Sequence, residues 1–164
     1  MKTLAQKRNF ALSATVATLL FAGWSTMLYA AEVTVVLSGA NEVPPVTTKA
    51  SGMGKITIAQ DKTVSGSVTT VGVAATMAHI HVGRSGQVGP VLIPLKKTGD
   101  NVWSVPEGAK LPDTSYNDFE AGKLYVNVHS EAHPGGEIRG QLVTTPKMKD
   151  ESMLMPGTAG GGSY

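Results

Sequence analysis

The sequence contains no cysteine. That excludes a disulfide scaffold, a thiolate-ligated zinc or iron–sulfur site and a thiol nucleophile. Aromatic residues are scarce, with three Phe, two Trp and four Tyr among 164 residues, and no block of Lys and Arg stands out. Neither feature suits a basic surface that stacks and neutralises nucleic acid. Charge is low in both signs, 14 basic against 12 acidic residues, so no polyanionic partner is called for. Long apolar runs are missing too, apart from the stretch Phe10 to about Trp24, which Ser13, Thr15, Thr18 and Gly23 interrupt. It is short for a membrane span. Glycine is abundant, with 19 residues beside nine prolines, and this favours a turn-rich β protein.

Lys2, Lys7 and Arg8 precede that apolar stretch, Ala30 and Ala31 follow it, and no acidic residue comes before Glu32. A positive start, an apolar middle and a small-residue end predict a secretory signal peptide over residues 1–30, cleaved after Ala30 or Ala31. The mature chain is then expected in the periplasm or secreted, with no stable membrane insertion. Lys7-Arg8-Asn9-Phe10 faintly resembles a twin-arginine export signal. Without its first 30 residues the chain keeps 11 basic and 12 acidic residues, a net charge of −1. Residues 146–164 lack periodicity and are expected to form a flexible tail rich in Met and Gly, including Met148, Met153 and Met155. The folded part is expected over residues 31–145 as one domain.

Short β-rich runs punctuate that part: 32–37, 54–60, 63–71, 75–82, 90–96, 101–105, 123–130 and 136–144. Turn residues such as Gln60-Asp61-Lys62 and Thr98-Gly99-Asp100-Asn101 separate them. The spacing predicts an all-β sandwich or barrel. Val43-Pro44-Pro45-Val46 is expected to be extended but outside any central strand, because prolines remove ladder donors. One short helical turn is expected near 113–121, capped by Asp113 or Thr114 and ended by Gly122.

All four histidines fall in two stretches, Met77-Ala78-His79-Ile80-His81-Val82 and Leu124-Tyr125-Val126-Asn127-Val128-His129, the latter running on to His133. Side chains alternate between the two faces of a strand. Ala78, Ile80 and Val82 therefore share one face with the core, and Met77, His79 and His81 share the other. Likewise Tyr125, Asn127 and His129 oppose Leu124, Val126 and Val128, and Glu137 and Arg139 oppose Ile138 and Gly140. If these strands are neighbours, the histidines meet on an outward face as a shallow polar site. A His-x-His pair sets two imidazoles about 7 Å apart, near the span of two ligands on one metal. A third imidazole from an adjacent strand completes a trigonal N₃ set suited to Cu(II), Zn(II) or Ni(II), and Met77 on the same face would favour Cu(I). His79, His81 and His129 are the expected ligands, with His133 or Met77 as an optional fourth. Asn127 lies on the same face, and Glu137 and Arg139 are read as a surface pair or an anion-attracting support.

Three further motifs carry a resemblance: Leu37-Ser-Gly-Ala-Asn-Glu-Val-Pro-Pro-Val46, Ala78-His-Ile-His-Val-Gly83, and Gly122-Lys-Leu-Tyr-Val-Asn-Val-His129 followed by Pro134-Gly-Gly-Glu-Ile-Arg-Gly-Gln141. In order and spacing the chain resembles the CHRD (chordin-type) domain family over about 33–143. The resemblance implies an exported all-β Greek-key domain and no single activity. A weaker similarity is to copper/zinc superoxide dismutase. It implies that His79 and His81 act as paired copper ligands, His129 as the late ligand and Arg139 as an anion guide. No counterpart of the bridging histidine or the zinc loop is present.

The expected function is an exported metal-binding or carrier protein, with copper favoured. A metal-free protein-interaction module is one alternative, and a weak copper-dependent oxidoreductase is another.

Overall fold

The computed structural model describes residues 30–144, which contain all four histidines. Nine strands form one antiparallel system: β1 Ala30–Ser38, β2 Ser51–Ala59, β3 Val64–Val71, β4 Ala75–Val82, β5 Val91–Pro94, β6 Lys96–Gly99, β7 Val102–Ser104, β8 Leu124–Ser130 and β9 Ile138–Leu142. A single 3-10 turn follows β1 at Gly39–Asn41, and helix α1, Asp113–Glu120, precedes β8.

Strand order is β5-β4-β8-β9-β1-β2-β3-β7-β6. The two edge strands are consecutive in sequence and only Leu95 separates them, so the sheet has to curl round until its edges meet. At the seam the Leu95 N–H donates to the Ala78 carbonyl on β4. Opposite the seam, β1 and β9 share a single bridge between Ser38 and Arg139, so the barrel divides into two curved halves. Each half turns its alternate apolar residues inward. Val33, Val35, Leu37, Ile56, Ile58 and Val68 meet Ala78, Ile80, Val126, Val128, Ile138 and Leu142 in one core. Burying such side chains stabilises by roughly 1.5–3 kcal/mol each. The architecture is the expected all-β barrel-like sandwich.

Two local expectations need correction. The run 90–96 is two strands, because at Leu95 the chain leaves one half of the barrel for the other. Helix α1 begins without a side-chain cap at its N-cap, Pro112. The Asp113 carboxylate pairs instead with Lys62 Nζ at 2.7 Å, on the loop after β2. Gly122 does end the helical segment, at φ +65°. Among the described residues no helix is long and apolar enough to cross a membrane.

Candidate metal centre

β4 and β8 pair antiparallel with Met77 opposite His129, His79 opposite Asn127 and His81 opposite Tyr125. On the far side of β8, Asn127 stands opposite Arg139 and Tyr125 opposite Gln141 of β9. The alternation read from sequence therefore assigns every one of these residues to a single face of three adjacent strands. The histidine rings converge there, with centroids 5.5 Å apart for His79 and His81, 4.9 Å for His79 and His129, and 6.0 Å for His81 and His129. One ligand atom from each lies within 4.8 Å of the others.

The face is not the shallow, outward one expected. Every residue of β8 is buried, including those opposite the core. Two loops cover it. Residues 83–90, between β4 and β5, lie over His81, and residues 131–137, between β8 and β9, lie over His129. Each loop offers one carbonyl to one ring at 3.0 Å: Gly89 to His81 Nδ1 and Pro134 to His129 Nδ1. A carbonyl only accepts, so both Nδ1 atoms carry the proton and both Nε2 atoms keep their lone pairs. His79 Nδ1 then donates to His129 Nε2 at 3.1 Å. His81 Nε2 is buried with no hydrogen-bond partner. A buried ring nitrogen left with a bare lone pair is costly unless an ion or proton meets it. Carbonyls that fix the Nδ1–H tautomer are the usual outer support of metal-binding imidazoles.

Burial is the main cause holding all three histidines below the ordinary imidazole pKa. For His79 the neighbouring His129 and His81 add to it, and for His81 so do His129 and Arg139. The rings are therefore neutral at pH 7, the form that ligation needs.

The remaining candidates are distributed differently. His133 does not join the cluster; it lines a cleft of about 240 Å³ with Glu42, Pro44 and Gly136. Met77 sits at the rim across from His129 and is 47% exposed. Glu137 and Arg139 are both buried and do not pair with each other, correcting their reading as a surface pair. Arg139 donates to the carbonyls of Gln87 (2.7 Å) and Arg84 (2.9 Å) and to Gln141 Oε1. Its guanidinium lies 3.5 Å over the Tyr125 ring, and Tyr125 stacks on His81 at 4.9 Å. At 1% exposure Arg139 cannot guide an anion from solvent; it clamps the 83–90 loop. Tyr125 adds a second clamp, its hydroxyl accepting from the Gly89 N–H. Glu137 anchors the other loop through Ser130 Oγ and Thr48 Oγ1. Burial alone would push its carboxyl up, but these two hydrogen bonds and the charge of His133 hold it below the ordinary value.

Glu42 has a place here that the sequence did not signal. It is buried beside Asn127, and Glu42 Oε1 and Asn127 Oδ1 both lack partners. Burial pushes its carboxyl up to about 7, against the pull of Arg139 and hydrogen bonds from Val43 and Asn127. Gly136 makes the packing possible: at φ +134° a Cβ there would lie 2.6 Å from the Asn127 amide and 2.7 Å from Glu42 Oε1.

The family model of the CHRD domain matches residues 33–142. No curated protein and no solved structure matches the chain, so the dismutase likeness rests on the histidine and arginine motifs alone.

Proposed function

Since the chain belongs to the CHRD-domain family, we propose that it is an exported protein that binds a transition-metal ion, copper before zinc or nickel, through His79, His81 and His129, and serves as a metal-binding or carrier protein. The observation that carries this reading is the convergence of three neutral imidazoles within 4.8 Å, two of them held by backbone carbonyls that keep the proton on Nδ1 and the lone pair on Nε2. The layout of residues 1–30 supports export. Imidazole nitrogen and thioether sulfur are the available soft donors in a chain without cysteine, which favours copper.

Metal analysis of the protein recovered from its native compartment tests the reading, with titration of the metal-free protein beside a His79→Ala/His81→Ala double variant. Copper binding in the wild type and its loss in the variant is the expected outcome. Equal binding by both would sink it. The interaction-module alternative draws on Val36 and Met53, cross-strand neighbours exposed on the outer face of β1 and β2. Partner binding that survives the double variant would favour that alternative.

A further inference from the structure

Resting on that reading of the histidine site, we propose that it takes copper in the monovalent state, Cu(I), and that Arg139 is the residue that sets this preference. Three features carry the inference.

The first is the charge of the donor set. Among the described residues the cluster is three neutral histidines with no Asp or Glu beside them. Nothing in it compensates the second positive charge of Cu(II) or Zn(II). The second is geometry. Three nitrogens in a covered site form a low-coordinate set, whereas Cu(II) prefers a tetragonal set of nitrogen and oxygen donors. Among the described residues the one soft side-chain donor beyond the histidines on this face is the Met77 thioether across from His129, a ligand type that selects Cu(I).

The third is Arg139 itself. Guanidinium, phenol ring and imidazole form a stack, with Arg139 3.5 Å over Tyr125 and Tyr125 4.9 Å from His81. Hydrogen bonds to the Gln87 and Arg84 carbonyls fix the guanidinium in that place, and burial keeps it from swinging to solvent. A permanent positive charge thus stands two rings away from the metal position. It penalises a divalent ion more than a monovalent one. At an effective dielectric of about 20, one unit of charge at that range is worth roughly a tenfold change in relative affinity.

The test measures affinities of the full chain for Cu(I), Cu(II) and Zn(II) by competition with chromophoric chelators, together with the reduction potential of the bound copper. Wild type is expected to hold Cu(I) more tightly than either divalent ion. Arg139→Gln should narrow the gap by about tenfold and lower the potential, while Arg139→Lys, which keeps the charge, should retain most of it. Tighter binding of Cu(II) or Zn(II) by the wild type overturns the proposal and leaves the metal-site reading standing. Absence of copper binding in either state overturns both. Equal narrowing in the Lys and Gln variants overturns the role of Arg139, because the lost feature is then the loop clamp and not the charge. Should Arg139→Gln fail to fold, Glu42→Gln tests the same field from the other side. It removes the carboxylate that faces the guanidinium, so the Cu(I) preference at pH 8 should widen; a narrower or unmoved preference counts against the proposal.

Discussion

Glu42 and Asn127 show how a single proton settles a buried polar contact. Two unpartnered oxygens face the same space behind Gly136, and two acceptors do not satisfy each other. A protonated Glu42 resolves this by donating to the Asn127 side chain, in keeping with a carboxyl pushed up to about 7 by burial. The folded protein then holds a proton between pH 4.5 and about 7 that the unfolded chain releases. Stability contributed by Glu42 is therefore fully present in acid and lost as pH rises toward 7. Glu42→Gln keeps an N–H to donate and cannot ionise. Its denaturation free energy should exceed that of the wild type at pH 8 by up to about 3 kcal/mol and match it near pH 4.5. Denaturant unfolding at both pH values checks this; equal wild-type and variant stability at pH 8 would show that Glu42 ionises without penalty. The sequence placed this residue in the opening motif but assigned it no chemistry. A lone acid before two prolines reads as a turn, and its burial depends on a glycine 94 positions further on.

At the level of elements, strands supply the candidate ligands and loops decide what those side chains can do. Period-two alternation was enough to read His79, His81 and His129 onto one face, because β4 and β8 follow regular strand geometry through the histidines. Burial of that face was not legible, since it is imposed by the 83–90 and 131–137 loops, whose paths depend on Arg139 and Glu137. The split at Leu95 was only partly legible: Pro94 interrupts the run, but nothing in it says that its two ends belong to opposite edges of a closing sheet. Gly89 offers a direct test of loop control. A Cβ at this position would collide with the Val82 carbonyl, so Gly89→Ala must displace the loop and withdraw the acceptor from His81 Nδ1. Copper affinity should fall by about 10- to 100-fold, the range found when outer support of a metal ligand is removed. Nitrogen NMR of the metal-free variant should show His81 as a mixture of tautomers. Unchanged affinity with an unchanged tautomer would mean that the loop merely covers the site.

The whole molecule joins these scales, because the site draws on both halves of the barrel. The histidines stand on β4 and β8, while Glu42 and Thr48 come from the connection after β1, so unfolding disperses the cluster and exposes its rings to protons. All three imidazoles are held below their ordinary pKa of 6.5, chiefly by burial. The unfolded chain thus takes up protons first as pH falls below 6.5, and the stability that the neutral rings contribute, complete above that value, declines on acidification. Glu42 acts with the opposite sign over pH 4.5–7, so the two effects partly cancel in the wild type. In a Glu42→Gln background the histidines act alone, and the metal-free protein should lose stability steadily between pH 7 and 5. Adding His79→Ala and His81→Ala should flatten that slope. Under the proposed reading copper binds only the folded form, so at a free concentration 100 times its Kd it should stabilise by about 2.7 kcal/mol. Because protons compete for the same nitrogens, this gain should shrink as the pH falls. A copper-induced shift in the unfolding midpoint that is the same at pH 5 and pH 7.5 would place the metal on donors other than these histidines.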